Sequence, residues 1–397
     1  MDTASEGRGG QVQLGLLVAG MIARGHRAPV VAPPGGVLAR RQGGEVLPLP
    51  ARLGPGAVLA LRRHIAAVRP DVVAAHTPHA HGLCLLAGAM PVVHRRVDFA
   101  LGAGALSRWK YRRAALYVAV SRAVAAVLVR GGVPAARIRV VYDGVAPPPE
   151  VAPAPDLAGT GPLIGAAGAL VPHKGHRVLL EALARLPGQR CVIAGDGPLR
   201  GVLEAQAAAL GLGDRLHFLG QRHDLPAVLA ALDLLVHPSL EEGMGQVVVE
   251  AMALGVPVLV SAAGGLPEVV GDTSAPTPVD DPAALARAIR ARLAAPGDLE
   301  AALARARTVF SVDAMVEGTL AVYEEAAPGY GPRFGHGLNG DLAPFFGMRG
   351  VPPPDDRFFP PDRARHAPSP PSSPPDGRRG AAIAAPMWSP RGIPNCR

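Results

Sequence analysis

The chain has 397 residues, 49% hydrophobic and 18% charged, with a formal net charge of +8 at pH 7. That length and apolar content exclude a wholly disordered chain and leave room for two cored domains. Cys84, Cys191 and Cys396 show neither metal-ligand spacing nor an even count, so reduced thiols in a cytoplasmic protein are expected, without a disulfide or zinc framework.

At the start, MDTASEGRGG offers no apolar strand ahead of its glycines, whereas a doubly wound domain needs one. The expectation is a native start upstream, because loss of a central strand would bare apolar edges on its neighbours. No leader-like region and no run of eighteen apolar residues occurs, so neither a secretory signal nor a spanning helix is expected. Short apolar runs at 30–32, 72–75, 116–120, 140–142, 163–167, 192–194, 234–237 and 258–261 predict strands. Helix-length segments at 58–68, 176–186, 199–210, 246–254, 282–294 and 312–326 alternate with them. That alternation predicts an α/β chain with two Rossmann-like domains, their parallel sheets facing across a cleft. The break falls in the Pro/Ala-rich stretch 145–161, dividing a first domain, 1–150, from a second, 151–327. Beyond it, 328–397 carries 16 prolines without apolar periodicity and is expected to be a disordered tail.

Charge follows the same division. Residues 1–150 carry 19 Lys+Arg against 7 Asp+Glu, a net +12, while 151–327 carry 12 against 20, a net −8. The basic field is densest at 95–114, where Arg95, Arg96, Arg108, Lys110, Arg112 and Arg113 interleave with Phe99, Trp109 and Tyr111. Two readings stand: a solvated helix face with its aromatics in the core, or contact with an anionic acceptor or a bilayer surface. No nucleic-acid-binding motif accompanies the charge, so no nucleic-acid partner is expected. Lysine occurs only at Lys110 and Lys174; Lys174, in GALVPHKGH, sits between an expected strand end and a helix start, where an ammonium meets phosphate as a point charge.

The segment 239–268, SLEEGMGQVVVEAMALGVPVLVSAAGGLPE, carries the most chemistry. It reads as a glycine loop, then a helix whose positions are nearly all apolar apart from Glu250. Gly243 and Gly245 allow positive φ or close approach of a ligand to the backbone. An apolar helix is buried, and an ionised carboxylate within it needs a partner or a shifted pKa. Gln246 and Glu250 share one face, so the carboxylate stands about 6 Å along the axis from the N–H groups of the first turn. Diphosphate at that helix end, with Glu250 taking two ribose hydroxyls, describes a nucleotide-diphosphate site. Otherwise Glu250 pairs with a buried arginine and the glycines only make a turn.

Glu242 and Glu250 form E-x7-E, and the segment resembles the donor-site motif of retaining glycosyltransferase family 4, the glycosyl transferases group 1, of GT-B fold. Further pieces follow in order: GRGGQVQ (7–13), similar to a first glycine-rich loop; DVVAAHTPHAHG (71–82), to a strand and loop ending in histidines; VAVSRAV (118–124); RVVYDGV (139–145); GALVPHKGH (168–176); AGDGP (194–198); FLGQRHDL (218–225); and DLLVHPS (233–239). The resemblance implies transfer of a sugar from a nucleotide diphosphate to an acceptor hydroxyl with retained anomeric configuration, in bacterial cell-envelope glycolipid or polysaccharide synthesis. It implies Glu242 and Lys174 as catalytic residues and Gly243, Met244, Gly245, Gln246, Glu250, Arg222 and His223 as donor-binding residues. On the acceptor side Gly9, Gly10, His76 and Asp98 are candidates. No D-x-D motif occurs, so no metal and no cofactor beyond the nucleotide-sugar co-substrate is expected.

Two departures stand out. Ala169 replaces an arginine usual in such sequences, leaving His173, Arg177 or Arg222 to compensate, and Arg96-Val97-Asp98 stands where a histidine is common. A nucleotide-sugar epimerase or hydrolase of similar fold, or a catalytically weak nucleotide-sugar-binding protein, is the alternative. The expected location is cytoplasmic, with peripheral contact at the inner face of the plasma membrane through the basic domain.

Overall fold

Every pairing between strands is parallel, which places both faces of each sheet under helices. The structure, a computed structural model, describes Met1 and residues 9–34, 45–49, 54–102, 104–146, 148 and 151–327; the expected tail lies outside the described residues. The first half runs α1 (Gly9–Ala23), β1 (Val30–Ala32), β2 (Val46–Pro48), α2 (Pro55–Val68), β3 (Ala74–Ala75), α3 (Pro78–Leu86), β4 (Val92–Arg95), α4 (Ala105–Tyr111), β5 (Tyr117–Ala119), α5 (Arg122–Arg130) and β6 (Ile138–Val140). The second half runs β7 (Leu163–Ala167), α6 (His176–Leu183), β8 (Arg190–Ala194), α7 (Arg200–Ala209), β9 (Leu216–Gly220), α8 (Leu225–Ala230), β10 (Leu234–His237), α9 (Gln246–Ala253), β11 (Val258–Val260) and α10 (Leu266–Val270). Three helices close it: α11 (Pro282–Ala294), α12 (Leu299–Thr308) and α13 (Val312–Ala326).

The second half forms one sheet of order β11-β10-β7-β8-β9. β7 and β10 are buried at every position, which is why they read as continuous apolar runs and not as alternating ones. The chain leaves β7 toward β8 on one side and returns at β10 on the other, so the topology reverses between β7 and β10. A crevice at the carboxyl ends of the strands at such a reversal is where open α/β sheets bind ligands. The first half holds a sheet of order β3-β4-β5-β6 and a separate pair, β1-β2.

Helix α13 runs back onto the first sheet. Gly20 of α1 makes the approach possible, since a Cβ there would lie 2.5 Å from Val316 Cγ2. Tyr323 and His94 meet through Oη and Nε2 at 2.9 Å, and Val145 N–H donates to the Phe310 carbonyl. Gln13 of α1 binds both backbone groups of Gly144, at 2.9 and 3.1 Å, tying α1 to the turn after β6.

Several boundaries differ from expectation. Gly9 and Gly10 already belong to α1, so the part of 7–13 that is described is helix and not loop. Two of the three histidines of 71–82 likewise enter a helix: Thr77 caps α3, accepting from Ala80 N–H, and His79 and His81 lie in its first turns, while His76 precedes it. The strand expected at 140–142 lies instead at 138–140, because the 3-10 turn Ala135–Arg137 feeds β6 directly and buried Ile138 starts it. β2 and β9 are edge strands, too short and mixed for a period-two pattern, and β2 ends on a proline that only an edge tolerates.

Candidate functional site

The turns after β7 and β10 meet at the topological reversal of the second sheet. Lys174 ends a 3-10 turn, Pro172–Lys174, and Gly175 follows in the left-handed region at φ 64°, where a Cβ would strike the Pro238 carbonyl. This packing presses the two turns together. Lys174 Nζ lies 2.5 Å from Glu242 Oε2, with the side chains 19% and 14% exposed, so the ion pair is largely withdrawn from water. The same oxygen is 2.8 Å from His237 Nε2 and 3.3 Å from Ser239 Oγ.

Burial alone would raise the Glu242 pKa. The hydrogen bond from His237 and the neighbouring charges, Lys174 among them, outweigh it and hold the carboxyl well below its usual range. Burial lowers His237 despite its carboxylate neighbour, so the ring is neutral and its Nε2–H donates to Glu242. The negative charge is thus fixed in place, with Lys174 as its cationic partner.

Glu250 is different in kind. Among the described residues no side chain hydrogen-bonds or pairs with it, and burial pushes its pKa up to about 7. On α9, Val248, Val249, Ala251, Met252 and Ala253 are buried, whereas Gln246, Val247 and Glu250 are only partly covered. The helix is therefore not enclosed all round as its sequence suggests; a narrow side opens at Gln246 and Glu250. Gly245 caps α9 at φ 89° without a side chain, so among the described residues the first-turn N–H groups have no side-chain cap.

The glycine loop itself is wedged between the two halves of the chain. A Cβ at Gly243 would lie 2.3 Å from the Arg96 carbonyl oxygen, so Gly243 serves a backbone-to-backbone approach. Gly264 packs on the Glu242 carbonyl and beside the Asp98 carboxylate, and Gly265 on Gly243 and Ser121. Met244 is core, at 4% exposure. Gly9, at the start of α1, lies next to Gln246, where a Cβ would stand 3.0 Å from Oε1; Gly10 sits near the Arg96 side chain. Across the same boundary Glu268 accepts from the N–H groups of Arg122 and Ala123, both at 2.8 Å, capping α5 from the other half of the chain.

His76 follows β3, stacks on His94 at 4.2 Å and faces Arg96 NH1 through Nδ1 at 3.1 Å. Arg96 in turn pairs with Asp143 at 2.8 Å. His76, Arg96, Asp98, Ser121 and Asp143 thus all lie just beyond the carboxyl ends of β3 to β6, on the edge that meets the glycine loop. Arg222 is claimed by carboxylates: it binds both oxygens of Asp156 and of Asp224, while His223 is exposed. Of the groups considered in place of an arginine at Ala169, Arg177 is likewise paired, with Asp280, and His173 sets its ring against Phe99.

Sequence reasoning passed over His237, Ser239 and Glu268. A polar ring ending the apolar run 234–236 is the available signal for the first of these. Among the described residues no cluster of three or more His, Cys, Asp or Glu side chains is arranged to hold a metal ion.

Two family profiles divide the chain between them. The one described as Glycosyltransferase Family 4 matches residues 7–147, and the one described as Glycosyl transferases group 1 matches 150–308. A 2-deoxystreptamine glucosyltransferase of Streptomyces kanamyceticus is 38% identical over 184 residues, 42% of this chain and 48% of the relative. A D-inositol 3-phosphate glycosyltransferase of Salinispora arenicola is 37% identical over 194 residues, 44% of this chain and 43% of the relative. The matches thus span about half the length of these curated relatives. A crystal structure of Anabaena Alr3699/HepE in complex with UDP superposes with a TM-score of 0.68 at 25% identity, covering 80% of this chain and 96% of that one. Fold, strand order and both profiles agree: the chain belongs to glycosyltransferase family 4, the glycosyl transferases group 1, with the GT-B fold.

Proposed function

We propose that the protein transfers a sugar from a nucleotide diphosphate to an acceptor hydroxyl. The observation that carries this reading is the arrangement at the reversal of the second sheet: a fixed Lys174–Glu242 pair, with Glu250, one helical turn below the N-terminus of α9, lacking a side-chain partner among the described residues. The solved UDP complex of the similar Anabaena protein supports a nucleoside diphosphate there.

In this reading the leaving diphosphate lies between Lys174 and the first-turn N–H groups of α9, which stabilise the charge that develops as the C1–oxygen bond breaks. Glu250 accepts hydrogen bonds from two ribose hydroxyls. Glu242, held by His237, Ser239 and Lys174, fixes the hydroxyls of the donor sugar, and residues 221–223 border the base. The acceptor approaches from the edge carrying His76, Arg96 and Asp98. Transfer proceeds with retention and without a metal, the departing phosphate oxygen taking the acceptor's proton on the same face.

The acceptor belongs to bacterial cell-envelope glycolipid or polysaccharide synthesis, and the basic half of the chain meets a membrane surface from the cytoplasmic side. Exposed Leu106 and Trp109 on α4, beside Arg108, Arg112 and Arg113, support that contact. Among the described residues no helix is long and apolar enough to cross a membrane.

The test is nucleoside-diphosphate release from a nucleotide sugar with and without acceptor, with the anomeric configuration of the product read by NMR. Acceptor-dependent release and a retained configuration are expected. Release that ignores every acceptor would move the assignment to hydrolysis, and an inverted product would refute the same-face mechanism.

A further inference from the structure

Helix α5 starts where β5 leaves the first sheet, and its first turn is capped twice. Ser121, buried at the N-cap, accepts from Val124 N–H at 3.1 Å. The N–H groups of Arg122 and Ala123, left over by that cap, each donate at 2.8 Å to a different oxygen of Glu268, which lies 146 and 145 residues further along. A carboxylate spread over two N–H groups at a helix N-terminus makes charge-assisted bonds and complements the helix dipole. Glu268 is held from other sides as well. Tyr142, just beyond β6, donates from Oη to Oε2 at 3.2 Å. The Tyr142 ring meets Phe310 edge to face at 5.1 Å, and the Arg305 guanidinium lies over Phe310 at 5.4 Å. Arg305 in turn donates to the carbonyls of Glu268 and Val269, at 2.6 and 2.9 Å. Glu268, Tyr142, Phe310 and Arg305 thereby close a ring that joins α10 and α12 to the first half of the chain.

That ring lies one helical turn from the glycine loop. Gly265, at the N-cap of α10, donates its N–H to the Glu242 carbonyl at 2.9 Å and accepts from Glu268 N–H at 3.1 Å. A Cβ on Gly265 would lie 2.3 Å from the Gly243 carbonyl oxygen and 2.9 Å from Ser121 Cβ. Residues 265 and 268 thus grip the start of α5 from a single turn of α10, with Glu242 and Gly243 directly behind them.

We propose that Glu268 is a positioning residue for sugar transfer: it latches the first turn of α5 to α10 and, through Gly265, sets the Glu242–Gly243 segment against the edge of the first sheet. Glu268 itself touches neither donor nor acceptor. Lys174, Glu250 and the first turn of α9 hold the nucleoside diphosphate without it, so loss of the latch leaves donor affinity in place and lets the segment that fixes the donor sugar shift. The effect on turnover rests on the sugar-transfer reading, whereas the latch stands on its contacts alone.

The experiment compares the full chain with its Glu268→Ala, Glu268→Gln and Tyr142→Phe variants. Amide hydrogen exchange is followed at Arg122, Ala123 and Gly265 and, to detect global opening, at Val192 inside the second sheet. UDP release from UDP-glucose in water supplies kcat and KM. Glu268→Ala is expected to speed exchange at Arg122, Ala123 and Gly265 about tenfold with Val192 unchanged, as loss of a charged cap implies, and to lower kcat while KM for UDP-glucose stays the same. Glu268→Gln, which sets an amide NH2 against one of the two N–H groups, is expected to follow Glu268→Ala. Tyr142→Phe leaves both cap bonds and should give a smaller rise at the same amides. Unchanged exchange at Gly265 in Glu268→Ala would overturn the latch, as would a rise at Val192 equal to that at Arg122. A rise in KM accounting for the whole loss of kcat/KM, with kcat unchanged, would overturn the positioning role. Exchange at Gly265 is read without turnover, so failure of the sugar-transfer reading is told apart from failure of the latch.

Discussion

Replacing Glu250 by Gln is expected to stabilise the unliganded protein at alkaline pH, the reverse of the usual effect of altering a partly buried charged residue. The carboxyl has a pKa raised to about 7 from 4.5 because burial disfavours its charged form and no side chain among the described residues compensates. In the unfolded chain it ionises at its ordinary value, so between those two pH values the folded state binds more protons. Stability therefore falls as pH rises through that window. At 1.36 kcal/mol per unit the whole effect is about 3 kcal/mol, of which about 2.5 kcal/mol falls between pH 5 and pH 8. Glu250→Gln keeps the shape and removes the titration, and contributions from all other groups cancel between the two proteins. Urea unfolding of wild type and variant at both pH values measures it: the stability of the variant relative to wild type should be about 2.5 kcal/mol greater at pH 8 than at pH 5. An equal difference at the two pH values would mean that Glu250 ionises normally or is matched by a cation of the protein, and the argument from its isolation would fail.

Other outcomes follow from the same geometry. Lys174→Met leaves Glu242 with only neutral donors and should cost about 3 kcal/mol of stability, whereas Lys174→Met with Glu242→Gln should recover much of it; strict additivity in urea unfolding would count against the pairing. Because Glu242 is held below its ordinary pKa, its contribution is complete above about pH 4.5 and is lost as pH falls further, so Glu242→Gln should flatten the acid limb of the stability profile. Gly243→Ala should destabilise by about 1–3 kcal/mol, since its Cβ must displace the Arg96 carbonyl, and should lower transfer as the loop parts from the first sheet; a wild-type Tm would contradict the wedged loop. Replacing Arg108, Arg112 and Arg113 together by Gln should weaken binding to anionic vesicles at low salt by roughly 3 kcal/mol, and unchanged binding would remove the membrane contact.

The second half of the chain was legible where its physics is local. β7 and β10 are continuous apolar runs because both faces are covered, and Gly245 needs a positive φ that the sequence position announces. What stayed hidden depends on contacts far apart in sequence. Nothing near Gly243 reveals that its missing Cβ makes room for Arg96, and nothing near Lys174 reveals Glu242, 68 residues away. Arg222 looks like a free cation until Asp156 and Asp224 are seen around it. In the first half, α1 begins at glycines that read as a loop, because Gln13 and Gly144 hold the helix from a distance.

A thermal-shift panel of UDP-, GDP- and ADP-sugars on wild type and Glu250→Ala decides whether this acid waits for a nucleotide. One donor class should raise the Tm of the wild type by mass action, and Glu250→Ala should lose most of that rise while remaining folded. Equal shifts in the two proteins, or no shift with any donor, would contradict the account.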